Sequence, residues 1–260
     1  MVRIASFNIN GIRARLPRLV DWLERSRPDV VCLQELKAED DQVPRLELEA
    51  AGYRVESFGQ KGFNGVAILS RGEISDVRRG LPGMEDDEQA RYIEATIGDL
   101  RIASLYAPNG NPPGSEQFAY KLAWLDALLA HAQDLLAREI PAVLAGDFNI
   151  IPEDEDCHDP AAWRDDALFA PEARARFRAL KWQGWLDAIR HCHPGGDQFT
   201  FWDYQGGAWA KDHGIRIDHV MLSPLAAERL EDAGVDRMER AREKASDHVP
   251  VWVRLADPQP

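Results

Sequence analysis

The segment LAGDFN, residues 144–149, is an apolar run that ends in a carboxylate and, two positions later, an amide. Side chains two residues apart lie on the same face of a strand, so Asp147 and Asn149 can point into one site. A carboxylate there can move protons or bind a metal ion, and an amide can donate to a charged oxygen. The same pair also favours an Asx turn that ends the strand, and this segment alone does not separate the two interpretations.

On either side of this segment, short apolar runs alternate with helical patterns along the chain. Runs rich in Val, Ile, Leu and aromatic residues predict strands at residues 2–9, 30–34, 65–70, 92–97, 100–106, 142–146, 217–222 and 249–255. Helices are predicted at residues 17–26, 116–138 and 171–183. Many strands with few long helices predict a layered α/β or α+β fold. No linker or change of composition divides residues 1–260, so we expect a single domain.

Polar residues follow several predicted strands at the point where each strand ends. Glu35 follows the second strand and can either bind Mg²⁺ or face solvent at the start of a loop. Asp218 lies in an apolar run and needs a partner, for which the sequence offers His248 or Arg216. Asp247 precedes His248 directly, which brings an acceptor next to a group that titrates near neutral pH. Strand ends and the loops beyond them are where rigid scaffolds carry catalytic groups.

Composition limits the classes of protein to consider. The chain of 260 residues is 45% hydrophobic and 29% charged. It has no apolar run of about 18 residues, so we expect no membrane span. Three cysteines suggest no disulfide framework and no secretory signal is visible, so we expect a cytoplasmic protein. The net charge of −13 disfavours a nucleic-acid partner, but salt screening and acidic groups gathered around a cation weaken that objection.

Taken together and in this order, the motifs resemble those of the exonuclease III/AP endonuclease family within the endonuclease–exonuclease–phosphatase superfamily. The resemblance covers nearly the whole chain, through SFNINGIRAR (6–15), PDVVCLQELK (28–37), GQKGFNGVAILS (59–70), RRGLPG (78–83), LYAPNG (105–110), LAGDFNI (144–150), TFWDY (200–204), GIRIDHVMLS (214–223) and SDHVPVW (246–252). GQKG, RRGLPG and TFWDY are similar to the DNA-repair branch rather than to lipid or inositol phosphatases. The resemblance implies a four-layer α/β sandwich of two packed mixed β-sheets flanked by helices, with the active site at one edge of the sheets.

The resemblance also implies catalytic and metal-binding positions. The catalytic residues would be Tyr106, Asp147, Asn149, Asp218 and His248. The cofactor would be Mg²⁺, with Mn²⁺ as a substitute. Glu35 would be its principal ligand, and the site would be completed or adjoined by Asn8, Asp147, Asn149, Asp247 and His248. Asp147 would handle protons on the attacking water or leaving group, and Asn149 would hold a phosphate oxygen. His248, oriented by Asp218, would bind the phosphate or act as a base, and Tyr106 would form a hydrogen bond near the phosphate.

DNA contacts are expected from basic and aromatic residues. Phosphate contacts are expected from Arg13, Lys61, Arg91, Lys121 and Lys211, although each could equally be a solvated surface charge. The aromatic residues Phe201, Trp202 and Trp209 resemble a loop that packs on an abasic sugar, and their alternative is a place in the core. Relatives often have Trp before Phe where this chain has Phe201 before Trp202, so either of the two could face the sugar.

The function that the resemblance implies is Mg²⁺-dependent hydrolysis of DNA 5′ to abasic sites, with 3′→5′ exonuclease and 3′-phosphodiesterase or phosphatase activity. The partner would be double-stranded DNA with abasic sites or blocked 3′ ends, and no obligate protein partner is evident. Two alternatives stay open. One is a phosphodiesterase of the same superfamily that acts on non-specific DNA, RNA or a phospholipid head group. The other is a catalytically silent DNA-binding module, which metal-dependent turnover would exclude.

Overall fold

The computed structural model describes residues 1–258, and within them twelve strands form two six-stranded sheets. The strands are β1 (Val2–Asn8), β2 (Val30–Gln34), β3 (Arg54–Phe58), β4 (Val66–Ser70), β5 (Ser75–Arg79), β6 (Tyr92–Ile97), β7 (Leu100–Tyr106), β8 (Ala142–Asp147), β9 (Leu186–Asp187), β10 (Asp218–Leu222), β11 (Leu230–Val235) and β12 (Val251–Leu255). The α-helices are α1 (Ile12–Ser26), α2 (Arg45–Ala50), α3 (Glu116–Ala137), α4 (Pro171–Trp182), α5 (Ala188–Cys192), α6 (Ala208–Lys211) and α7 (Pro224–Ala227). Short 3₁₀ helices lie at Asp40–Gln42, Asp154–Asp156 and Arg237–Ala241.

Both sheets are mixed. The first has the strand order β11-β12-β1-β2-β4-β3 and the second has β5-β6-β7-β8-β10-β9. The pairs β1–β2 and β7–β8 are parallel, and the other pairs are antiparallel. A parallel pair needs a long crossover, and α1 and α3 lie in the two crossovers concerned.

The layers follow from the alternation of side chains along the strands. On β1, Ile4 faces a core between the two sheets, whereas Ala5 and Phe7 face a second core beneath α1. On β8, Val143 faces the core between the sheets and Leu144 faces a third core beneath α3 and α4. The fold is therefore the four-layer α/β sandwich that the family resemblance implied. In the described residues no helix is both long and apolar enough to cross a membrane.

All eight predicted strands and all three predicted helices are present, with bounds shifted by a few residues. The prediction missed the four strands β3, β5, β9 and β11, and each of these is an outer strand of its sheet. An outer strand has a partner on one side only and tolerates charged residues, so its pattern is weak. The strand β5, SDVRR, shows this most clearly, because it is mostly exposed.

Candidate active site

The candidate site lies where the core between the two sheets reaches the ends of the strands. On β8, Val143 and Ala145 point into that core, so alternation places Asp147 on the same face. On β10 the same alternation places Asp218 in line with Val220. Asp147 and Asp218 are paired across the two strands, so both carboxylates are held side by side at one edge of the second sheet.

Asn8 connects the two sheets at this edge. It ends β1 in the first sheet, and its Nδ2 donates to Oε1 of Glu35 at 2.9 Å and to Oδ2 of Asp147 at 3.0 Å. Glu35 follows β2 in the left-handed region, with φ of 52°, which few residues with a side chain adopt. Such uncommon backbone conformations persist where the surrounding structure holds them, often at functional sites. One amide therefore joins carboxylates from two different sheets.

His248 is held from the side away from Asp147. Its Nδ1 donates to Oδ2 of Asp218 at 2.8 Å, and the same oxygen accepts a hydrogen bond from Thr200 Oγ1 at 2.6 Å. Its Nε2 lies 3.7 Å from Oδ2 of Asp147. Of the two candidate partners for Asp218, the structure pairs it with His248, whereas Arg216 binds two other carboxylates.

Burial and neighbouring charges shift the pKa values at this site. Burial raises the pKa of Asp147 to about 7, although the nearby His248 acts in the opposite direction. Burial acts to lower the pKa of His248, but the carboxylates of Asp218 and Asp147 outweigh it and raise that pKa to about 10. The carboxylates on either side of the imidazole therefore favour its protonated form.

The cluster can hold a metal ion. One ligand atom each from Glu35, Asp147 and His248 lie within 4.8 Å of one another. Oε2 of Glu35 accepts from the ammonium of Lys37 at 2.8 Å, so one cation already faces this carboxylate. Burial acts to raise the pKa of Glu35, but the hydrogen bonds from Lys37 and Asn8 hold it below its usual value. Carboxylate and amide oxygens are the ligands that hard divalent cations prefer.

Three further predicted residues border the cluster. Asn149, with φ of 49°, donates from Nδ2 to the carbonyl of Ala107 at 2.8 Å, and its backbone N–H donates to Oδ1 of Asp147 at 2.9 Å. Asp247 accepts from Nδ2 of Asn10 at 2.9 Å. Tyr106 lines the same cavity, and burial together with two nearby carboxylates raises its pKa well above the usual value.

A cavity of about 270 Å³ opens directly above these groups. One wall is apolar and consists of Trp163, Leu168, Phe201 and Ile217. The polar part of the lining includes Asn109, Asn111, Asp166 and Asp203, in addition to the residues described above. An apolar wall with a few converging polar groups is the usual form of a small-molecule or substrate site.

The aromatic residues Phe201 and Trp202 have different positions. Phe201 lines the cavity, with its ring 4.9 Å from that of His248. Trp202 is fully buried, and its Nε1 donates to Asp212 at 3.0 Å. Trp209 is partly buried and packs edge-on against Trp202 at 5.0 Å. Of the two residues that the sequence left open, Phe201 faces the cavity and Trp202 belongs to the core.

The basic residues predicted to contact DNA are not equivalent. Lys61 is exposed, and Arg13 lines a separate hollow of about 540 Å³ beside Lys37. The guanidinium of Arg91 packs over the ring of Tyr106 at 5.0 Å. Lys121 is fully buried, so its prediction as a phosphate contact is corrected. Its ammonium donates to three backbone carbonyls, and no face of it is open to a DNA strand.

Several residues of the site escaped the sequence analysis, among them Lys37, Thr200 and Trp163. Lys37 ends the segment PDVVCLQELK and could have been found by its position next to Glu35. Thr200 begins TFWDY, but nothing in that motif indicates that its hydroxyl binds Asp218. Trp163 stands in a stretch of irregular structure with no periodic pattern, and it reaches the cavity only through the tertiary fold.

Comparison with known proteins agrees with this architecture. Residues 5–248 match the model of the Endonuclease/Exonuclease/phosphatase family. The chain is 36% identical over 266 residues to Exodeoxyribonuclease III of Haemophilus influenzae, covering 98% of this chain and 100% of that protein.

Two solved structures are similar over nearly the full length. One is a 3′ phosphatase, NExo, from Neisseria, bound to a product DNA hairpin. It is 39% identical, with a TM-score of 0.96 and coverage of 98% of this chain and 99% of that one. The other is an AP endonuclease from Archaeoglobus fulgidus, which is 37% identical, with a TM-score of 0.94 and coverage of 98% and 99%.

Proposed function

The chain belongs to the endonuclease/exonuclease/phosphatase family, and we propose that it is a Mg²⁺-dependent DNA-repair phosphodiesterase. The proposed reactions are hydrolysis of the backbone 5′ to an abasic site, 3′→5′ exonuclease cleavage, and removal of 3′-blocking phosphates. Similarity to an exodeoxyribonuclease III, a 3′ phosphatase and an AP endonuclease supports this range of activities.

The observation that carries the proposal is the cluster of Glu35, Asp147 and His248 at the base of a half-apolar cavity. A phosphodiester is negatively charged and repels hydroxide, so its hydrolysis needs groups that neutralise charge and handle a proton. Two carboxylates and an imidazole within 4.8 Å of one another can meet both needs. A module that only bound DNA would have no use for them.

We assign the metal site to Glu35 and Asp147, completed or adjoined by Asn8, Asn149, Asp247 and His248. Mg²⁺ suits these oxygen ligands, and Mn²⁺ accepts similar ones. When bound, the ion would neutralise charge on the phosphate and lower the pKa of a water molecule.

The chain's own residues would move the proton and hold the phosphate. Asp147, fixed by hydrogen bonds from Asn8 and from the Asn149 backbone, would accept or return a proton at Oδ2. Because Asp218 occupies Nδ1 of His248, its Nε2 is left to donate to a phosphate oxygen. Asn149 and Tyr106 would add hydrogen bonds to the same phosphate.

The cavity would receive the sugar of the lesion. A deoxyribose without a base can turn out of the duplex at low cost, since no base has to unstack. Phe201 and Ile217 would pack on its apolar face, with Trp209 further along the same loop. Arg13, Lys61 and Arg91 would contact phosphates on either side.

The experiment compares a labelled duplex that carries one abasic analogue, the intact duplex and a duplex with a 3′-phosphate, each in Mg²⁺ and in EDTA. Asp147→Asn is run beside wild type, and Asp99→Asn, an exposed substitution, is the matched control. We expect internal incision only at the lesion, stepwise shortening of the duplexes from their 3′ ends, and release of phosphate from the 3′-phosphate duplex. All three should disappear in EDTA and in Asp147→Asn, and all three should survive in Asp99→Asn.

Failure of wild type to act on any of the three duplexes in Mg²⁺ would refute the proposal, and RNA and phospholipid head groups would then be tested. Phosphate release without incision would restrict the function to 3′ ends. Equal internal incision of the intact and abasic duplexes would refute the lesion specificity.

We further infer that residues 1–260 act as one domain without an obligate protein partner. Strand β1 pairs with β12, so segments near both ends of the chain share a sheet, which supports one folding unit. We also infer a cytoplasmic protein, because the structure leaves Cys32, Cys157 and Cys192 as free thiols, as a reducing compartment would.

A further inference from the structure

Lys121 is a lysine of α3 that the structure buries completely. Its ammonium donates to the backbone carbonyls of Asn149 at 2.6 Å, Asn109 at 2.9 Å and Ala167 at 3.1 Å. A lysine ammonium has three N–H donors, so all of its hydrogen bonds are made to main-chain oxygens. No side-chain carboxylate takes part in a hydrogen bond to it among the described residues.

The three carbonyls belong to three separate segments that form the cavity. Asn109 follows β7, and Asn149 follows β8; both also line the cavity with their side chains. Ala167 stands between Asp166 and Leu168, which line it from a third segment. The lysine therefore lies behind the cavity wall, at the point where these segments meet.

The loop after β7 is shaped around this side chain. Gly110 has φ of +84°, and a Cβ at that position would lie 2.6 Å from Cδ of Lys121. A buried cation is costly unless its hydrogen bonds are satisfied, and an apolar residue would fill the same space without that cost. The neighbouring core positions of α3, Leu125 and Leu128, are apolar. A lysine at residue 121 is thus not explained by core packing alone.

We propose that Lys121 is a positioning residue, which holds the three cavity segments at fixed positions relative to the side chains of Asp147 and Asn149. This inference rests on the proposed function. Because Lys121 touches neither the cavity nor a DNA strand, its loss should lower kcat and leave the KM for duplex nearly unchanged. A displacement of reacting groups by about 1 Å can slow a reaction about a hundredfold.

The test compares Lys121→Met with Leu128→Ala, a core substitution on the same helix that contacts none of the three segments by hydrogen bond. Each variant is assayed on the abasic duplex with Mg²⁺, well below its own unfolding midpoint. For Lys121→Met we expect kcat to fall about 10- to 100-fold. Hydrogen exchange of the amides in residues 107–111 and 163–168 should become faster. Leu128→Ala should keep both its kcat and its exchange pattern in these segments.

Unchanged kcat and exchange in Lys121→Met, or equal changes in Leu128→Ala, would overturn the proposal. If Lys121→Met does not fold, Gly110→Ala displaces the lysine stem while keeping its charge, and it should loosen the same segments. If the wild-type protein cuts no duplex, the proposed function is refuted. The hydrogen-exchange measurement would still show whether Lys121 holds the three segments in place.

Discussion

Thr200 and Asp218 hold His248 from the side away from the cavity, and one oxygen of Asp218 receives both hydrogen bonds. The other oxygen, Oδ1, is buried without a hydrogen-bond partner in the part of the chain that the structure describes. A buried carboxylate is tolerated when a cation pairs with it, and the charged imidazole is that cation. At the scale of single residues, the orientation of His248 therefore depends on the charge of Asp218.

Replacing Asp218 by Asn removes this charge and keeps the shape of the side chain. We expect kcat on the abasic duplex to fall by about 10²- to 10⁴-fold, because the imidazole loses the carboxylate that fixes its orientation and stabilises its protonated form. Steady-state kinetics measure the change, with Asp99→Asn as the control. A kcat close to that of wild type would show that Asp218 does not orient the histidine.

His219 provides a second prediction at the residue scale, away from the metal site. Arg216 donates to its Nδ1 at 3.1 Å, so the imidazole is neutral and its Nε2 donates to the Ile150 carbonyl at 3.0 Å. Burial and the adjacent Arg216 lower its pKa from 6.5 to about 4. Between these two pH values the unfolded chain binds a proton that the folded chain does not.

The free energy of unfolding should therefore decrease as the pH falls from 6.5 towards 4, by up to about 3 kcal/mol from this residue. Urea denaturation at pH 7.5 and pH 4.5 tests this, with His219→Gln as the variant that stays neutral. We expect His219→Gln to lose less stability than wild type over this interval. Equal losses of stability in the two proteins would mean that the pH dependence comes from groups other than His219.

At the scale of elements, the start of α3 is held by a local side-chain cap. Ser115 precedes α3, and its Oγ accepts from the backbone N–H of Phe118 at 3.1 Å. The same hydroxyl donates to the Pro112 carbonyl at 2.7 Å, so it also ties down the loop before the helix. This cap lies in the segment that connects β7 to α3, between the cavity and the outer helical layer.

Ser115→Ala should lower the free energy of unfolding by about 0.5–2 kcal/mol, because one N–H at the helix start loses its partner. Its kcat should stay near that of wild type, since Ser115 does not line the cavity. Thermal and urea unfolding, with kinetics on the same sample, give both values. A large loss of kcat at unchanged stability would mean that the cap shapes the site itself.

At the scale of the whole molecule, the site exists only because two sheets meet. A buried chain of hydrogen bonds joins them just beneath it. Ser6 Oγ donates to Gln34 Oε1 at 3.2 Å, and Gln34 Nε2 donates to Ser104 Oγ at 3.0 Å. Since Ser6 and Gln34 belong to the first sheet and Ser104 to the second, these contacts align the carboxylates that face each other across the sheets.

Ser104→Ala leaves the Gln34 amide buried without its acceptor and should cost about 1–3 kcal/mol of stability. The double variant Gln34→Met/Ser104→Ala should lose less free energy of unfolding than the two single variants lose together, because it removes both polar partners of this hydrogen bond. Urea denaturation of the four proteins forms the double-mutant cycle. Strict additivity would mean that the two side chains are not coupled across the sheets.

Much of the fold and part of the site could be predicted from the sequence. The central strands were found because an apolar run between turns is a local signal, while the four outer strands were missed because exposure on one side removes it. The polar residues at the strand ends, among them Glu35 and Asp147, could also be identified from the sequence. Their motif order led to the family, which the match over residues 5–248 confirms.

The sequence by itself determined which chemical groups stand at the ends of the strands, because the alternation of side chains along a strand is a local property. The resemblance implied that Asp218 orients His248, and the structure contains this pair. Only the tertiary structure decided that Phe201 rather than Trp202 faces the cavity, and that Lys121 is buried. These outcomes depend on contacts between segments far apart in the chain. Such contacts follow from how two sheets and their helices pack together, which no local pattern encodes.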